Sequence, residues 1–180
     1  MTRLRVLDRA DAGAAVDAVF EGLSAQSRYL RFHAPVPRLT GAMRRQLTDL
    51  DGRRRVAVVA ESGDRAIGIA RLAALGDAGE AGAAGEVGDT VAEIAIAVVD
   101  RWQRRGVGSR LIAEIGRLAT DLSYTELTGE VLRENLAMLA LARRAFPGVR
   151  LDRSDVDVVR LSYSLTFTLT HEELVADLRW

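Results

Sequence analysis

The 180-residue sequence contains no cysteine and no lysine, and it has only two histidines. Without cysteine there can be no disulfide, no thiolate metal site and no cysteine nucleophile. With histidine confined to His33 and His171, a histidine-rich metal site is not expected either, so we predict no bound metal. All 25 basic residues are arginine, a bias that genomic base composition explains and that says little about function.

The sequence also lacks an excess of charge of either sign and any long apolar run. Its 25 acidic residues balance the 25 arginines, so the net charge does not favour a nucleic acid or an anionic membrane as partner. No apolar run reaches the ~18 to 20 residues that span a bilayer. The N-terminal segment MTRLRVLDRA lacks the apolar stretch of a signal peptide. We therefore predict a cytoplasmic protein without a nucleic-acid or membrane partner.

The composition, 48 % apolar and 28 % charged, is that of a globular protein, and the length predicts a single domain over residues 1–180. Glycine is concentrated in residues 76–89, where five glycines occur without any large aromatic residue. Such a segment cannot bury enough apolar surface to order itself, so we predict a mobile loop within the domain.

Hydrophobic periodicity predicts strands and helices that alternate along the chain. The predicted strands cover residues 3–8, 55–61, 65–75, 90–99, 125–132 and 156–168. The predicted helices cover residues 24–32, 39–50, 106–122 and 135–146, after a first helix capped by Asp8 or Asp11 and before a closing helix capped by Thr170. The strand at 90–99 is almost entirely apolar and should be buried on both faces. Because strands lie on both sides of the helices, we predict a mixed α/β or α+β sheet.

The segment DRWQRRGVGSRLI, residues 100–112, joins this apolar strand to an amphipathic helix. A strand–turn–helix of this kind presents free backbone N–H groups and the positive end of the helix dipole to an anion. Gly106 and Gly108 would let the main chain approach phosphate oxygens without a Cβ in the way. Arg104 and Arg105 would add positive charge. The alternative is a turn that needs glycine only for its dihedral angles.

Two other phosphate-binding turns do not match. A dinucleotide-binding turn has a third glycine where this sequence has Leu111, and a P-loop needs a lysine, which the chain lacks.

Residues 103–108 match in full the Q/R-x-x-G-x-G/A signature of the GNAT superfamily of N-acetyltransferases, which this sequence resembles. The order of strands and helices along essentially the whole chain is also similar to that of the family. SRYLRF at 27–32 and VAEIAIAV at 91–98 most resemble the catalytic domains of bacterial protein-lysine acetyltransferases. The resemblance implies a GNAT-type mixed, mostly antiparallel sheet of six to seven strands with helices on both faces.

The resemblance also implies acetyl-CoA as co-substrate. Backbone groups on the strand before the turn would pair with the pantetheine arm, and N–H groups of the turn would hold the pyrophosphate. Asn135 matches the asparagine that opens the second cofactor-contacting helix, and a plain helix cap is a compatible alternative. The implied cofactor-binding residues are Ile96, Val98, Gln103, Arg104, Arg105, Gly106, Val107, Gly108, Ser109 and Asn135.

Acetyl transfer to an amine requires the neutral amine, because a protonated amine has no lone pair, and a partly buried carboxylate can take the proton. Glu93 interrupts an otherwise apolar strand. It matches the glutamate that acts as general base in the lysine acetyltransferases. The alternative is a strand-end carboxylate bonded to a neighbouring turn, and Glu61 is the reserve candidate. Many family members protonate the leaving thiolate with a tyrosine seven residues after the asparagine, where this sequence has Ala142.

Arg28, Tyr29 and Phe32 lie on a helix that the family places near the acceptor site, and their spacing puts them on one face. We predict that they bind the acceptor, the alternative being core packing for the two aromatic residues and solvent exposure for the arginine. The predicted function is transfer of the acetyl group of acetyl-CoA to a primary amine, with a protein lysine as first candidate. The alternatives are a small-molecule amine acetyltransferase and a non-catalytic acetyl-CoA-binding module. A homodimer through the last strand and closing helix is compatible with either enzyme.

Overall fold

The computed structural model describes residues 2–76 and 91–165. Three predictions fall outside these residues: the loop at 76–89 beyond Gly76, the closing helix capped by Thr170, and a dimer contact through that helix. The end of the last predicted strand, 166–168, lies outside them as well.

Within residues 2–76 and 91–165, seven strands and five α-helices follow one another in the order that the sequence predicts, with one short strand added. The elements are β1 (Thr2–Val6), α1 (Arg9–Glu21), α2 (Ala25–Phe32), α3 (Gly41–Thr48), β2 (Arg55–Ser62), β3 (Arg65–Ala74), β4 (Val91–Val98), α4 (Val107–Asp121), β5 (Glu126–Leu132), α5 (Leu136–Ala145), β6 (Arg150–Asp152) and β7 (Val158–Ser164). The strand β6 is not predicted from the sequence, because three residues are too few to show a period.

Local side chains determine where most of the helices begin. The side chains of Asp8, Ser24, Thr40 and Asn135 each accept a hydrogen bond from the backbone N–H three residues later, which caps α1, α2, α3 and α5. Among the five described helices, α4 alone begins without a side-chain cap, at Gly106. Its first N–H groups therefore have neither intrahelical acceptors nor a capping side chain.

The strands form one sheet in the order β1-β2-β3-β4-β5-β7-β6. Every neighbouring pair is antiparallel except β4 and β5, which are parallel. The predicted mixed, mostly antiparallel sheet is therefore confirmed.

Helices cover both faces of the sheet, as predicted. On one face, α1 packs its buried side chains, including Val16 and Val19, into one cluster with Val59 of β2 and Ile69 of β3. On the other face, Ile112 and Ile115 of α4 are fully buried against the sheet. Burying one such side chain contributes about 1.5–3 kcal/mol, so these two layers hold the sheet and the start of α4 in place.

The prediction that β4 is buried on both faces is wrong. Of its eight residues only Ala92 is buried, and Glu93 is exposed. The physical reason is the pairing with β5, which joins only Val91–Glu93 to Glu126–Thr128. Beyond these positions the two strands separate, and the rest of β4 borders an open cleft.

Candidate active site

A cleft of about 900 Å³ opens where β4 and β5 separate. Its lining comes from α2, from residues 93–98 of β4, from the turn before α4, from residues 127–131 of β5 and from α5. The cleft therefore brings together parts of the chain that are far apart in the sequence.

The hydrogen-bonding pattern of β4 leaves backbone groups facing this cleft. The N–H of Val99 donates to the carbonyl of Ile67 at 2.9 Å, which places the odd-numbered residues of this segment in the ladder with β3. Successive residues of a strand direct their backbone groups to opposite sides. The N–H and C=O of Ile94, Ile96 and Val98 therefore point toward β5, which has left the ladder beyond Glu93.

The separation of the strands begins next to Ile94. A Cβ built on Gly129 of β5 would lie 3.2 Å from the carbonyl oxygen of Ile94, so a side chain at this position would press against the backbone of β4. Further along, the carbonyl of Val98 accepts a hydrogen bond from the Gln103 amide at 3.0 Å. Ile96 lies between these two positions, and its backbone can pair with an extended, amide-containing ligand as a neighbouring strand would.

The turn before α4 contains two residues in the left-handed region, Arg104 with φ 57° and Gly106 with φ 79°. A Cβ on Gly106 would meet nothing within 4 Å, so this glycine is required for its backbone angle. A Cβ on Gly108 would lie 3.2 Å from Cδ2 of Leu141, so that glycine allows α5 to pack closely against α4. Gly106, Gly108 and Ser109 all line the cleft. The uncapped start of α4 is thus open to an anion.

Gln103 connects three parts of the cleft wall. Its amide nitrogen lies 3.0 Å from the carbonyl of Val98, 3.2 Å from the carboxylate of Asp100 and 3.3 Å from the hydroxyl of Ser27. The signature glutamine therefore holds the turn against the end of β4 and against α2. Its side-chain contacts are with protein groups.

Asn135 caps α5 from a position in the cleft lining. Its side-chain oxygen accepts a hydrogen bond from the N–H of Met138 at 3.1 Å, which caps α5, and the residue also lines the cleft.

Eight of the ten predicted cofactor-binding residues line the cleft, and two do not. The side chain of Val107 is buried in the core. The guanidinium of Arg105 lies over the ring of Trp102, 5.5 Å from its centroid. The sequence pattern does not distinguish these residues from their neighbours, because it does not show which way each side chain of the turn points.

Glu93 lines the cleft at the position where β4 and β5 last pair. The partial burial expected for its side chain is not found, because the carboxylate lies at the exposed mouth of the cleft. Glu61, the reserve candidate, is elsewhere. It forms an ion pair with Arg5 of β1 at 3.0 Å and is not part of the cleft lining.

Only one of the three predicted acceptor residues of α2 faces the cleft. Phe32 lines the cleft, whereas Arg28 and Tyr29 do not. The guanidinium of Arg28 lies 4.1 Å from the ring centroid of Phe20 and donates to the carbonyl of Pro37 at 2.8 Å. The cleft lining instead includes Arg31, which the sequence analysis did not single out. An arginine beside Phe32 on this helix was a visible signal, but the helical period alone could not decide which arginine faces the sheet.

Charges are unevenly distributed around Glu93. Burial, together with repulsion from Arg71, lowers the pKa of Arg31 to about 10, and attraction to Glu93 opposes this shift. Burial also lowers the pKa of Arg71, and its attraction to Glu93 again acts in the opposite direction. Arg71 donates to the carbonyl of Gln46 in α3 at 3.0 Å. One carboxylate therefore lies within the electrostatic range of two guanidinium groups.

Within the two described ranges, no cluster of three His, Asp or Glu side chains could hold a metal ion. No helix in the same part of the chain is long and apolar enough to cross a membrane.

The profile of the GNAT acetyltransferase family matches residues 17–146. The fold is similar to that of the GNAT domain of S. lividans PAT, with 32 % identity, a TM-score of 0.79, and 91 % of this chain and 90 % of that chain covered. No functionally curated protein gives a significant match.

More distant structures share the fold. The structure of yncA from Salmonella typhimurium, determined with its cofactor acetyl-CoA, is 15 % identical with a TM-score of 0.68, over 92 % of this chain and 95 % of that chain. An N-acetyltransferase from Staphylococcus aureus Mu50 is 16 % identical with a TM-score of 0.61, over 92 % and 99 % of the two chains.

The splayed β4–β5 pair, the open backbone at Ile96 and the uncapped start of α4 provide groups that fit an amide-containing, phosphorylated co-substrate. The family match covers most of the chain and agrees with this arrangement. The chain belongs to the GNAT family, and it is an acyl-CoA-dependent N-acetyltransferase with acetyl-CoA as its co-substrate.

Proposed function

We propose that this acetyltransferase modifies a primary amine, with Glu93 as the general base and a protein lysine as the first candidate acceptor. The observation that carries the proposal is the position of Glu93 at the mouth of the cleft, five residues before the end of β4 at Val98. Five residues of strand span about 17 Å. The carboxylate and the phosphate-binding turn thus lie at opposite ends of one unpaired strand edge.

The residues that hold acetyl-CoA in this proposal lie along that edge. The backbone of Ile96 and the N–H of Val98 pair with the pantetheine arm, and the N–H groups of residues 104–109 hold the pyrophosphate at the start of α4. Gln103 positions this turn through its contact with Val98. Asn135 lines the same cleft from the start of α5.

The acetyl group arrives as a thioester, and the amine needs a free lone pair to attack it. An alkylammonium ion has a pKa of about 10.4 and holds its proton at neutral pH. The carboxylate of Glu93 accepts that proton, directly or through a water molecule. Ala142 of α5 is fully buried where many family members have a tyrosine, so we assign no side-chain acid to the leaving thiolate, which solvent protonates.

A protein acceptor is favoured by two observations. The carboxylate of Glu93 is exposed, so a lysine on a protein surface can reach it without entering a closed chamber. The 32 % identical S. lividans structure is the GNAT domain of a protein acetyltransferase. A small-molecule amine is the second candidate acceptor, and the assay includes both lysine peptides and small amines.

The composition of the chain removes two sources of background signal from the test. Because the chain has no cysteine, a thiol reagent detects only the CoA released from acetyl-CoA. Because it has no lysine, acetyl-lysine can arise only on the acceptor. We expect amine-dependent CoA release with lysine peptides and an acetylated peptide by mass spectrometry. If a panel of lysine peptides and small amines releases no CoA while acetyl-CoA still binds, the proposed acceptor class is wrong.

A further inference from the structure

Arg31 is a cation in the cleft that is attracted to Glu93 but forms no ion pair among residues 2–76 and 91–165. It is partly buried on α2 and lines the cleft. Its closest aromatic neighbour is Phe32, whose ring centroid lies 5.2 Å from the guanidinium carbon. Several arginines outside the cleft form ion pairs, for example Arg44 with Asp17 at 2.8 Å and Arg160 with Glu130 at 3.0 Å. A guanidinium that lines a cleft and forms no ion pair of its own is available to bind an anionic group of a ligand.

Arg31 lies at the end of the cleft that contains Glu93. The N-terminal end of α2 is near the phosphate turn, because the N–H of Ser24 lies 3.3 Å from the carboxylate of Asp100 and Ser27 contacts Gln103. Arg31 lies about one helical turn beyond Ser27. At this position Arg31 is close enough to Glu93 for the two charges to attract each other. Arg31 is therefore placed to contact the acceptor, at the opposite end from the phosphate turn.

The charges at this end do not suit a simple amine. Arg31 stays protonated at neutral pH, because an arginine guanidinium loses its proton only in strong base. Glu93 attracts it, whereas Arg71 is not part of the cleft lining and is attracted to Asp49 as well as to Glu93. An acceptor that carries only an ammonium group would be attracted by Glu93 but repelled by Arg31. An acceptor that also carries a carboxylate would match both side chains.

We infer that the acceptor bears a carboxylate close to its reacting amine and that Arg31 binds this carboxylate while Glu93 faces the amine. This inference rests on the proposed function, since it describes the acceptor of the same reaction. A guanidinium binds a carboxylate through two parallel N–H···O bonds, which fixes the orientation of the acceptor as well as its position. The carboxylate has two sources: the α-carboxylate of a free amino acid, or an acidic residue beside the target lysine of a protein.

Two matched pairs of acceptors separate these sources. The first is a lysine peptide with glutamate on both sides of the lysine and the same peptide with glutamine there. The second is leucine and isopentylamine, which differ only in the carboxylate. For one of the pairs we expect kcat/KM to be at least about tenfold higher for the carboxylate-bearing member. The pair that shows this preference identifies the source.

The variant Arg31→Gln should abolish the preference by lowering kcat/KM for the carboxylate-bearing member about tenfold, while kcat/KM for the member without the carboxylate does not fall. Arg38→Gln is the matched control, because Arg38 is exposed just beyond α2 and is not part of the cleft lining. If the Tm of Arg31→Gln is lower than that of wild type, the variant Arg31→Met is used in its place, because methionine keeps most of the apolar stem.

Three outcomes are decisive. If wild type acetylates the amines with equal efficiency in both pairs, the inference is wrong and the proposed function stands. If Arg31→Gln and Arg31→Met lower kcat/KM equally for both members of a pair, Arg31 has a structural role and the inference is again wrong. If wild type acetylates no amine at all, the proposed function fails first and the inference fails with it.

Discussion

Glu93 and Thr128 are the last paired positions of β4 and β5. Five residues of β4 and four of β5 continue beyond this pair without joining each other. One register thus determines two features at once. It leaves the backbone edge of β4 open to an extended ligand, and it places the one acidic side chain of β4 where that edge begins.

Replacing Glu93 by glutamine tests the role of its carboxylate. We expect kcat/KM at pH 7 to fall at least about 100-fold, the typical contribution of a general base. The Kd of acetyl-CoA should not change, since Glu93 is at the far end of the cleft from the phosphate turn. Steady-state kinetics and calorimetry measure the two quantities. Glu21→Gln is the matched control, because Glu21 is exposed at the end of α1 and outside the cleft lining.

The same variant has a characteristic pH profile. The deficit in kcat/KM of Glu93→Gln relative to wild type should shrink as the pH rises toward ~10. The reason is that a lysine ammonium with a pKa of about 10.4 then loses its proton to solvent. The ratio of the two kcat/KM values, measured from pH 6.5 to 10, follows this change. A deficit that stays constant over that range would show that Glu93 supports the structure of the site and does not accept the proton.

Gly106 and Gly52 provide a matched pair of glycines for the phosphate turn. Both have φ 79°, and a Cβ on either would meet nothing within 4 Å. Gly106→Trp and Gly52→Trp should each lower the free energy of unfolding by about 1–2 kcal/mol, because both force a side chain into the left-handed region. Only Gly106→Trp should weaken acetyl-CoA binding, by at least about tenfold. Equal Kd values for the two variants would mean that Gly106 is needed for the fold alone.

Asn135 can be tested for its two roles separately. Asn135→Asp keeps an oxygen that caps α5, so the stability should be unchanged, but its negative charge should repel the phosphates of acetyl-CoA and raise the Kd about tenfold. Asn135→Ala should cost about 1 kcal/mol of stability. Thr40→Ala removes the cap of α3 and should cost the same without affecting the Kd. An unchanged Kd for Asn135→Asp would leave Asn135 as a helix cap only.

Asp51 links stability to pH. Burial by itself raises the pKa of Asp51, but the backbone N–H groups of Arg53, Arg54 and Arg55, which donate to its carboxylate, and the Arg55 guanidinium lower it by more. The folded-state pKa is therefore below the unfolded value of about 3.9. The stabilisation is complete above that unfolded value and is lost as the pH falls through the folded-state pKa.

The expected effect of Asp51→Ala is a loss of roughly 1–2 kcal/mol in the free energy of unfolding at pH 7. At pH 3 the difference from wild type should be smaller, because part of the wild-type carboxylate is then protonated. Urea unfolding at the two pH values measures both differences. Asp64→Ala, in the exposed turn between β2 and β3, is the control. A difference of equal size at pH 7 and pH 3 would contradict the linkage.

Much of the fold could be predicted from the sequence because its signals are local. The capping side chains of Ser24, Thr40 and Asn135 act on backbone groups three residues away, and the predicted helix starts follow from them. The β2–β3 hairpin follows from two apolar segments around a short turn. The three-residue strand β6 is the exception, since its pairing with β7 depends on the sheet that is already present.

The candidate site was less predictable where it depends on the direction of side chains. The signature residues were visible in the sequence, but the burial of Val107 and the stacking of Arg105 on Trp102 were not. The helix α2 was expected near the acceptor site and does border the cleft, but Arg28 was singled out where Arg31 lines the cleft. The exposure of Glu93 was also unexpected, because an apolar strand usually indicates burial on both faces.

The sequence by itself determined the order and type of the main elements, the glycine-containing turn before α4 with Gly106, and a carboxylate at position 93. These features follow from spacing and from the chemistry of neighbouring residues. Only the tertiary structure decided that β4 and β5 separate after Glu93 and Thr128, and that Arg31 faces the resulting cleft. The physical reason is that strand pairing and side-chain burial depend on contacts between residues far apart in the chain, whose free energies no local pattern records.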